Sequence, residues 1–252
     1  MSDALDREYS PSHYARDVAA TLARQAAMGR QVVERHAPCR LAYGDDPLAR
    51  LDLFVPRGDG PWPLMAFIHG GYWQELDHTA TDFLAERYLA RGMAFASLGY
   101  GLAPATSIET MGEQCARGLA EARTALDARG GVDAVTLGGH SAGAQLACRV
   151  ADEAGKDIDA LLLVSGVYDL TPLVDTYVNV PLSLDPAQAR ALSPLFGELT
   201  GLPPSRVLIA EHDSPAFRRQ GRDFVSALNA AGGRADLVDL PDCDHFDILD
   251  HL

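Results

Sequence analysis

Short runs of continuous apolar residues recur along the chain and alternate with stretches whose apolar residues repeat every three to four positions. Continuous runs are typical of strands that are covered on both faces, and the longer repeat is typical of helices with one core-facing side. Buried strands are predicted at residues 64–68, 93–98, 134–137, 160–164, 206–210 and 235–240. Two further strands are predicted at residues 40–43 and 51–55, and the second has the partial alternation of a half-exposed antiparallel strand.

Helices are predicted between these strands, at residues 11–36, 79–90, 108–126, directly after residue 143, at 214–231 and at 247–252. Ser10 and Pro11 have the pattern of an N-cap followed by proline at the first helical position, so the first helix is expected to begin there. Residues 1–9 are polar and are expected to be loose. The first helix is interpreted as packing against the domain, and a lid over the active site is the second interpretation.

Repeated strand–helix units with buried strands predict an α/β fold, with an open, mostly parallel sheet and helices on both faces. Residues 171–198 interrupt this order with four prolines among scattered apolar residues, which indicates a small cap-like insertion. The chain is predicted to be one domain, 1–252, that begins with an N-terminal helical segment, 1–38. A chain of 252 residues buries enough surface to need no disulfide or metal for stability.

The net charge of −14 argues against nucleic acid and anionic membranes as partners, because both require a basic face. A small-molecule substrate is the expected partner. The four cysteines form no C-x-x-C pair and no zinc-type cluster, so neither a metal nor another cofactor is expected. No apolar run reaches 18 residues and the first 30 residues hold no signal-peptide core, so a cytosolic protein is the expectation.

Residues 138–143 read Gly-Gly-His-Ser-Ala-Gly, directly after a predicted strand and before a helix-like stretch. Gly139-x-Ser141-x-Gly143 fits G-x-S-x-G, the nucleophile elbow in which a sharp turn lifts one serine above the sheet. Strand and helix nearly touch at such a turn, so the positions two before and two after the serine accept little or no side chain. The bare pattern also occurs by chance in loops, and the strand before it and helix after it favour the elbow. Ser141 is therefore the candidate nucleophile.

A serine hydroxyl needs a base, and the base needs a carboxylate that orients it. Open α/β sheets carry their chemistry outside the carboxyl ends of the strands. Among the eight histidines, His245 follows the last predicted strand and is the candidate base. Asp213, in the loop after the preceding strand, is the candidate acid and Glu211 is the runner-up, although an aspartate there is also typical of a helix N-cap. The order Ser141, Asp213, His245 is the one that the α/β-hydrolase fold requires.

The carbonyl under attack needs hydrogen-bond donors for its developing negative charge. A loop directly follows the buried strand at 64–68, at the point where the α/β-hydrolase fold supplies such donors. It consists of His69, Gly70, Gly71, Tyr72 and Trp73. The backbone N–H groups of Gly71, Tyr72 and Ala142 are the expected oxyanion donors. His69 is expected to hold the loop by hydrogen bonding and to take no part in catalysis.

The motif at 69–73, together with Gly-His-Ser-Ala-Gly at 139–143, resembles the kynurenine formamidase (arylformamidase) branch of the α/β-hydrolases, which is similar to hormone-sensitive-lipase-like esterases. The stretches 211–220 and 244–249 also resemble that family. Lipase-like esterases usually have a third glycine where Tyr72 stands. The resemblance implies hydrolysis of N-formyl-kynurenine with Ser141, Asp213 and His245 as the triad. Its members are often dimers, so a homodimer is a further expectation.

Tyr72 and Trp73 suggest how a formyl substrate is selected. Tyr72 in place of glycine is expected to narrow the part of the substrate pocket that holds the acyl group. Trp73 is interpreted either as a stacking surface for an aryl group or as a core residue beneath the loop. Two other functions stay open, because one fold hosts many activities. One is a general short-acyl carboxylesterase or a hydrolase of other aryl amides or carbamates. The other is a binding protein of the same fold without activity.

Overall fold

The computed structural model describes residues 3–154 and 157–252. Within them, eight strands form one sheet in the order β1-β2-β4-β3-β5-β6-β7-β8. The strands are β1 (Cys39–Ala42), β2 (Arg50–Phe54), β3 (Trp62–Ile68), β4 (Ala94–Leu98), β5 (Val132–His140), β6 (Ala160–Val164), β7 (Ser205–Ala210) and β8 (Ala235–Leu240). Strands β1 and β2 are antiparallel to their neighbours, and all later pairs are parallel. The predicted α/β fold with a mostly parallel sheet is therefore confirmed.

The residues that the structure describes also form eight α-helices. They are α1 (Asp3–Glu8), α2 (Val18–His36), α3 (Ala85–Leu89), α4 (Ile108–Asp127), α5 (Ala142–Ala154), α6 (Asn179–Leu182), α7 (Pro186–Ala191) and α8 (Pro215–Ala230) among the described residues. Two buried apolar clusters separate the layers: one includes Leu64 and Ile68 of β3 with Leu119 of α4, and the other includes Phe67 of β3 with Phe95 of β4. Side chains of β3 thus alternate between two cores, as expected for a central strand covered on both faces.

The start of the chain differs from the prediction. Residues 3–8 are helical, and Pro11–His13 form only a 3-10 turn in which Ser10 makes no side-chain cap. The long helix α2 begins later, at Val18, because the carboxylate of Asp17 accepts the backbone N–H of Ala20. Aspartate is as good an N-cap as serine, so the predicted start of this helix at Pro11 is wrong and the helix begins after Asp17.

The predicted helix at 79–90 is also divided. Residues His78–Leu84 form a 3-10 helix, capped by the carboxylate of Asp77, and only α3 continues as α-helix. Residues 171–198 hold short helical pieces: two 3-10 turns, Thr171–Asp175 and Pro194–Phe196, together with α6 and α7. No helix in the parts of the chain that the structure describes has both the length and the apolarity needed to cross a bilayer.

Candidate active site

Ser141 lies in the sharp turn between β5 and α5, with a positive φ of 54°. Its backbone N–H donates a hydrogen bond of 2.8 Å to the carbonyl of Val164 on β6. A Cβ atom on Gly139 would lie 2.2 Å from the carbonyl oxygen of Gly143, and one on Gly143 would lie 2.2 Å from that of Ile68. Side chains do not fit at either position, so the elbow geometry expected of Gly139 and Gly143 is present.

His245 and Asp213 form a hydrogen-bonded pair at the ends of β8 and β7. The Nδ1 atom of His245 lies 2.7 Å from Oδ1 of Asp213, and the two side chains are 3% and 0% exposed. The second carboxylate oxygen of Asp213 accepts the hydroxyl of Ser165 at 2.5 Å and the N–H of Ala210 at 3.1 Å. Burial acts to raise the pKa of Asp213, but the charge and hydrogen bond of His245 and these two donors outweigh it, so the pKa is lowered.

The other acidic candidate takes a different position. Glu211 is exposed, and its Oε2 accepts the backbone N–H of Asp242 at 2.9 Å. Asp213 is not the N-cap of α8 either, because the hydroxyl of Ser214 accepts the N–H of Phe217. The geometry therefore favours Asp213 over Glu211 as the partner of His245.

Among the described residues, one group offers several metal-ligating atoms close together, namely Glu211, His212 and Asp242. All three are exposed, and exposed acidic groups beside a histidine are common on protein surfaces. None of them lines the cavity that holds Ser141.

The loop after β3 contains three successive residues with positive φ: Gly71 at 99°, Tyr72 at 50° and Trp73 at 61°. The carbonyl of Gly71 accepts hydrogen bonds from the backbone N–H groups of Gln74 and Glu75, with lengths of 2.9 and 3.0 Å. No backbone hydrogen bond within the described ranges uses the N–H of Gly71, Tyr72 or Ala142. These three N–H groups are therefore not committed to backbone partners, as an oxyanion hole requires, and two of the residues, Gly71 and Tyr72, line the cavity that also holds Ser141.

His69 anchors this loop from below. Its ring stacks on that of Tyr100 with a centroid distance of 4.3 Å, and its Nδ1 lies 2.8 Å from the carbonyl of Gly70. The Tyr100 hydroxyl contacts the carbonyls of His69 and Gly70 at 3.1 and 3.0 Å. Burial lowers the pKa of His69 to about 4, so its ring is neutral near pH 7. A neutral, stacked ring fits the supporting role expected for His69.

The expectation that Trp73 offers a stacking surface to substrate is wrong. Its side chain is fully buried, donates to Oε1 of Gln145 at 3.1 Å, and is absent from the lining of the cavity. The second interpretation, a core residue beneath the loop, describes its position. Tyr72 does line the cavity, and its hydroxyl donates to the carbonyl of Tyr9 at 2.7 Å.

A cavity of about 310 Å³ opens directly above Ser141 and His245. The N-terminal segment contributes Pro11, Ser12, Val18, Leu22 and Gln25 to its wall, and the predicted cap contributes Tyr177 and Val178. The backbone N–H of Arg16 donates to Oδ2 of Asp244 at 2.9 Å, next to the base. The two interpretations of the N-terminal segment are therefore compatible, because it packs on the domain and also walls the cavity.

Comparisons with known proteins agree with this geometry. A family model described as the alpha/beta hydrolase fold matches residues 65–248. The chain belongs to the α/β-hydrolase family. Among its relatives, kynurenine formamidase of Danio rerio is 31% identical over 269 aligned positions, which cover 99% of this chain and 91% of that protein. Kynurenine formamidase of Drosophila melanogaster is 28% identical and covers 88% and 79%.

Solved structures show the same α/β-hydrolase architecture. A protein from Silicibacter sp. TM1040 with a provisional thioesterase designation superimposes with a TM-score of 0.88 at 28% identity, covering 98% of this chain and 93% of that one. An esterase from Pyrobaculum calidifontis superimposes with a TM-score of 0.72 at 21% identity, covering 94% and 88%. The second likeness is one of fold alone.

Two residues of this α/β-hydrolase site were not predicted from the sequence. Ser165, which directly follows β6, donates to Asp213, and the rule that chemistry gathers at the carboxyl ends of strands could have found it. The second is His140, which directly precedes Ser141. Its ring lies 4.7 Å from the ring of His245, and its Nε2 is 2.8 Å from the carbonyl of His245.

Proposed function

We propose that this α/β-hydrolase cleaves N-formyl-kynurenine or a similar aryl formamide to the free amine and formate. The observation that carries the proposal is one cavity bordered by Ser141, His245 and the oxyanion loop, in a chain similar to kynurenine formamidases over nearly its full length. Ser141 is the proposed nucleophile, His245 the base and Asp213 the orienting acid. Gly71, Tyr72 and Ala142 are the proposed oxyanion donors.

The reaction proceeds in two halves. His245 removes the proton of the Ser141 hydroxyl as Oγ attacks the formyl carbon, and the backbone donors stabilise the resulting oxyanion. The carbon–nitrogen bond then breaks, and His245 returns the proton to the leaving amine, which leaves a formyl ester on Ser141. Water, deprotonated by His245, attacks this ester, and formate leaves as the serine regains its proton. Throughout, the Asp213 carboxylate stabilises the charged ring of His245.

The size and walls of the cavity support a compact aryl substrate. Its volume of about 310 Å³ is near the lower end for small-molecule sites. Apolar side chains of Leu22, Val178 and Leu249, with the ring of Phe246, border it. Such walls suit a flat aromatic leaving group, and the small volume disfavours long acyl chains.

The decisive experiment compares kcat/KM for N-formyl-kynurenine and p-nitrophenyl acetate in the same preparation. We expect an advantage of at least about a hundredfold for the formamide, and parity would contradict the proposal. The Ser141→Ala variant should lose nearly all turnover of both substrates, leaving only the contribution of binding and the oxyanion hole. Normal rates in that variant would refute the serine mechanism itself.

A general carboxylesterase is the second candidate. The observation that favours it is the similarity to an isoprenylcysteine alpha-carbonyl methylesterase of Arabidopsis thaliana, which is 29% identical over 83% of this chain and 56% of that protein. Parity in the substrate comparison would select this function. A binding protein without activity is separated from both by labelling with an organophosphate probe, which requires a reactive serine.

We further propose that the protein works in a reducing compartment, the cytosol. All four cysteines are free, and three of them are buried. Burial raises the pKa of the Cys115 and Cys148 thiols, which keeps them protonated and unreactive. Fractionation of cells that express the chain, followed by immunodetection, tests this location.

A further inference from the structure

His140 has one ring nitrogen committed to the protein. Its Nε2 lies 2.8 Å from the backbone carbonyl oxygen of His245, and a carbonyl can only accept a hydrogen bond, so Nε2 carries the proton. Burial lowers the pKa of His140 to about 3, with the nearby charge of His245 acting in the same direction. The ring is therefore neutral near pH 7, and Nδ1 holds a lone pair and no proton.

That lone pair borders the reaction site. No hydrogen bond within residues 3–154 and 157–252 reaches Nδ1 of His140, and the side chain lines the same cavity as Ser141 and His245. A Cβ atom on Gly70 would lie only 2.9 Å from Nδ1. Glycine at position 70 thus leaves room around an acceptor that lies between the oxyanion loop and the base, and this acceptor has no partner among the described residues.

Amides and esters differ in what they offer to such an acceptor. The nitrogen of a scissile amide carries an N–H group, whereas the bridging oxygen of an ester carries only lone pairs. An acceptor beside this atom stabilises the amide and repels the ester oxygen. When an ester binds, the buried acceptor is left without a donor, and this costs the complex free energy. The preference for amide over ester is therefore larger than the strength of the hydrogen bond alone.

We propose that Nδ1 of His140 accepts a hydrogen bond from the N–H of the scissile amide and thereby selects amides over esters. The inference rests on the proposed function, since it concerns the leaving nitrogen of the formamide. In the tetrahedral intermediate this nitrogen must turn its lone pair toward the proton on His245. A hydrogen bond from its N–H to His140 holds it in that orientation while the carbon–nitrogen bond breaks. His140 is thus a specificity-determining residue that touches the substrate.

The test measures kcat/KM for formanilide and phenyl formate, which share acyl and aryl groups and differ only in the scissile N–H or oxygen. Spontaneous hydrolysis is subtracted. In the His140→Ala variant we expect the ratio of amide to ester activity to fall at least about fivefold relative to wild type, as for loss of a neutral hydrogen bond. The His140→Gln variant retains a side-chain carbonyl as acceptor and should recover much of the ratio.

A matched control separates this effect from simple displacement of the base. The ring of Phe217 packs edge-on against His245 at 4.7 Å, without a hydrogen bond to it. The Phe217→Leu variant should therefore lower both activities by the same factor and leave their ratio unchanged. Thermal melting of each variant reports whether it is folded.

Equal amide-to-ester ratios in wild type and His140→Ala would overturn the inference and leave the proposed formamidase activity standing. A wild-type enzyme that cleaves phenyl formate and leaves formanilide untouched would refute both together. A fall in the ratio that also occurs in Phe217→Leu would assign the effect to the position of His245, and the direct contact with substrate would be excluded.

Discussion

Within the described part of the chain, two places bring a buried aspartate together with a histidine and a serine, and they shift the pKa of the aspartate in opposite directions. At the catalytic end, Asp213 receives hydrogen bonds from His245, Ser165 and the N–H of Ala210, and its pKa is lowered. At the other place, which we call the β2–β4 cluster (Asp52, His78, Asp82 and Ser97), Asp82 receives one hydrogen bond of 2.7 Å from Ser97. Burial, aided by the charge of Asp52, raises the pKa of Asp82 to about 7.

The number of donors that reach the carboxylate accounts for the difference. Both Asp213 and Asp82 are almost fully buried, so desolvation opposes the charged form in each. Three donors offset that cost at Asp213, whereas Asp82 has one donor and a second carboxylate nearby. Neither oxygen of Asp52 has a hydrogen-bond partner among the described residues, and the cationic atoms that approach it are Nε of Arg40 at 3.4 Å and Nε2 of His78 at 3.7 Å. A catalytic carboxylate is thus marked by its donors more than by its burial.

The largest expected difference between the two aspartates is in the effect of an asparagine substitution on kcat. Asp213→Asn is expected to lower kcat by about 10⁴, because the amide favours the wrong tautomer of His245 and cannot stabilise its charge. Asp82→Asn is expected to leave kcat within about threefold, since Asp82 contacts no catalytic residue. Steady-state kinetics with N-formyl-kynurenine measure both. A large loss from Asp82→Asn would show that the two places are not independent.

The two serines provide the next comparison. Ser165→Ala is expected to lower kcat/KM about tenfold, because a hydrogen bond to the ionised Asp213 is removed. Ser97→Ala is expected to change kcat/KM by less than about twofold and to lower Tm instead, because Asp82 loses its one donor. Kinetics and thermal melting of both variants are the measurements. Equal kinetic losses would contradict a special role for Ser165.

The β2–β4 cluster should also make stability depend on pH. The folded state holds the Asp82 proton up to about pH 7, against 3.8 for the ordinary side chain. Burial lowers the pKa of His78, but its proximity to Asp52 and other carboxylates outweighs this, so the net shift is upward. The β2–β4 cluster therefore binds more protons in the folded protein than in the unfolded chain, and its contribution to stability falls as pH rises from about 4 to about 7. The lowered pKa values of His69 and His140 act in the opposite sense below about pH 6.5, so the effect of the cluster is read by comparison with a variant of Asp82.

Relative to the Tm of Asp82→Asn, we expect the wild-type Tm to fall by at least about 3 °C between pH 5 and pH 8. Relative to the Tm of Asp213→Asn, the wild-type Tm should change little over the same range. The lowered pKa of Asp213 acts elsewhere, because its contribution is present above its ordinary pKa and is lost as pH falls below about 4. A Tm difference between wild type and Asp82→Asn that stays constant over this pH range would show that Asp82 is ionised in the folded protein.

The smallest expected effect concerns the exposed carboxylate of Glu211, beside Asp213 in the same loop. Glu211→Gln should change kcat by less than about twofold, because the side chain contacts the N–H of Asp242 and not His245. A loss comparable to that of Asp213→Asn would reverse the assignment of the acid.

The sequence was sufficient for the parts of the fold that depend on local patterns. The predicted strands at 160–164 and 235–240 match β6 and β8, and the others lie within a few residues of the observed bounds, because buried strands are continuous apolar runs. Ser141, Asp213 and His245 followed from their places in the chain relative to those strands.

Contacts between distant residues were beyond such reasoning. The hydrogen bond from Ser165 to Asp213 joins residues that are 48 positions apart in the sequence. The hydrogen bond from His140 to the carbonyl of His245 joins residues that are 105 positions apart. The sequence left two interpretations of Trp73 open, because nothing in an aromatic residue predicts the positive φ that the structure has at this position.

The hydroxyl of Tyr72 ties the oxyanion loop to the N-terminal segment through the carbonyl of Tyr9. A left-handed conformation costs an ordinary residue about 1–2 kcal/mol, so this tie helps to hold Tyr72 in the backbone geometry that aims its N–H. Docking of the N-terminal segment and formation of the oxyanion loop are therefore linked equilibria, so each one favours the other. An acyl or phosphonyl group bound at Ser141 should slow hydrogen–deuterium exchange around Tyr9, far along the chain from the serine that carries it.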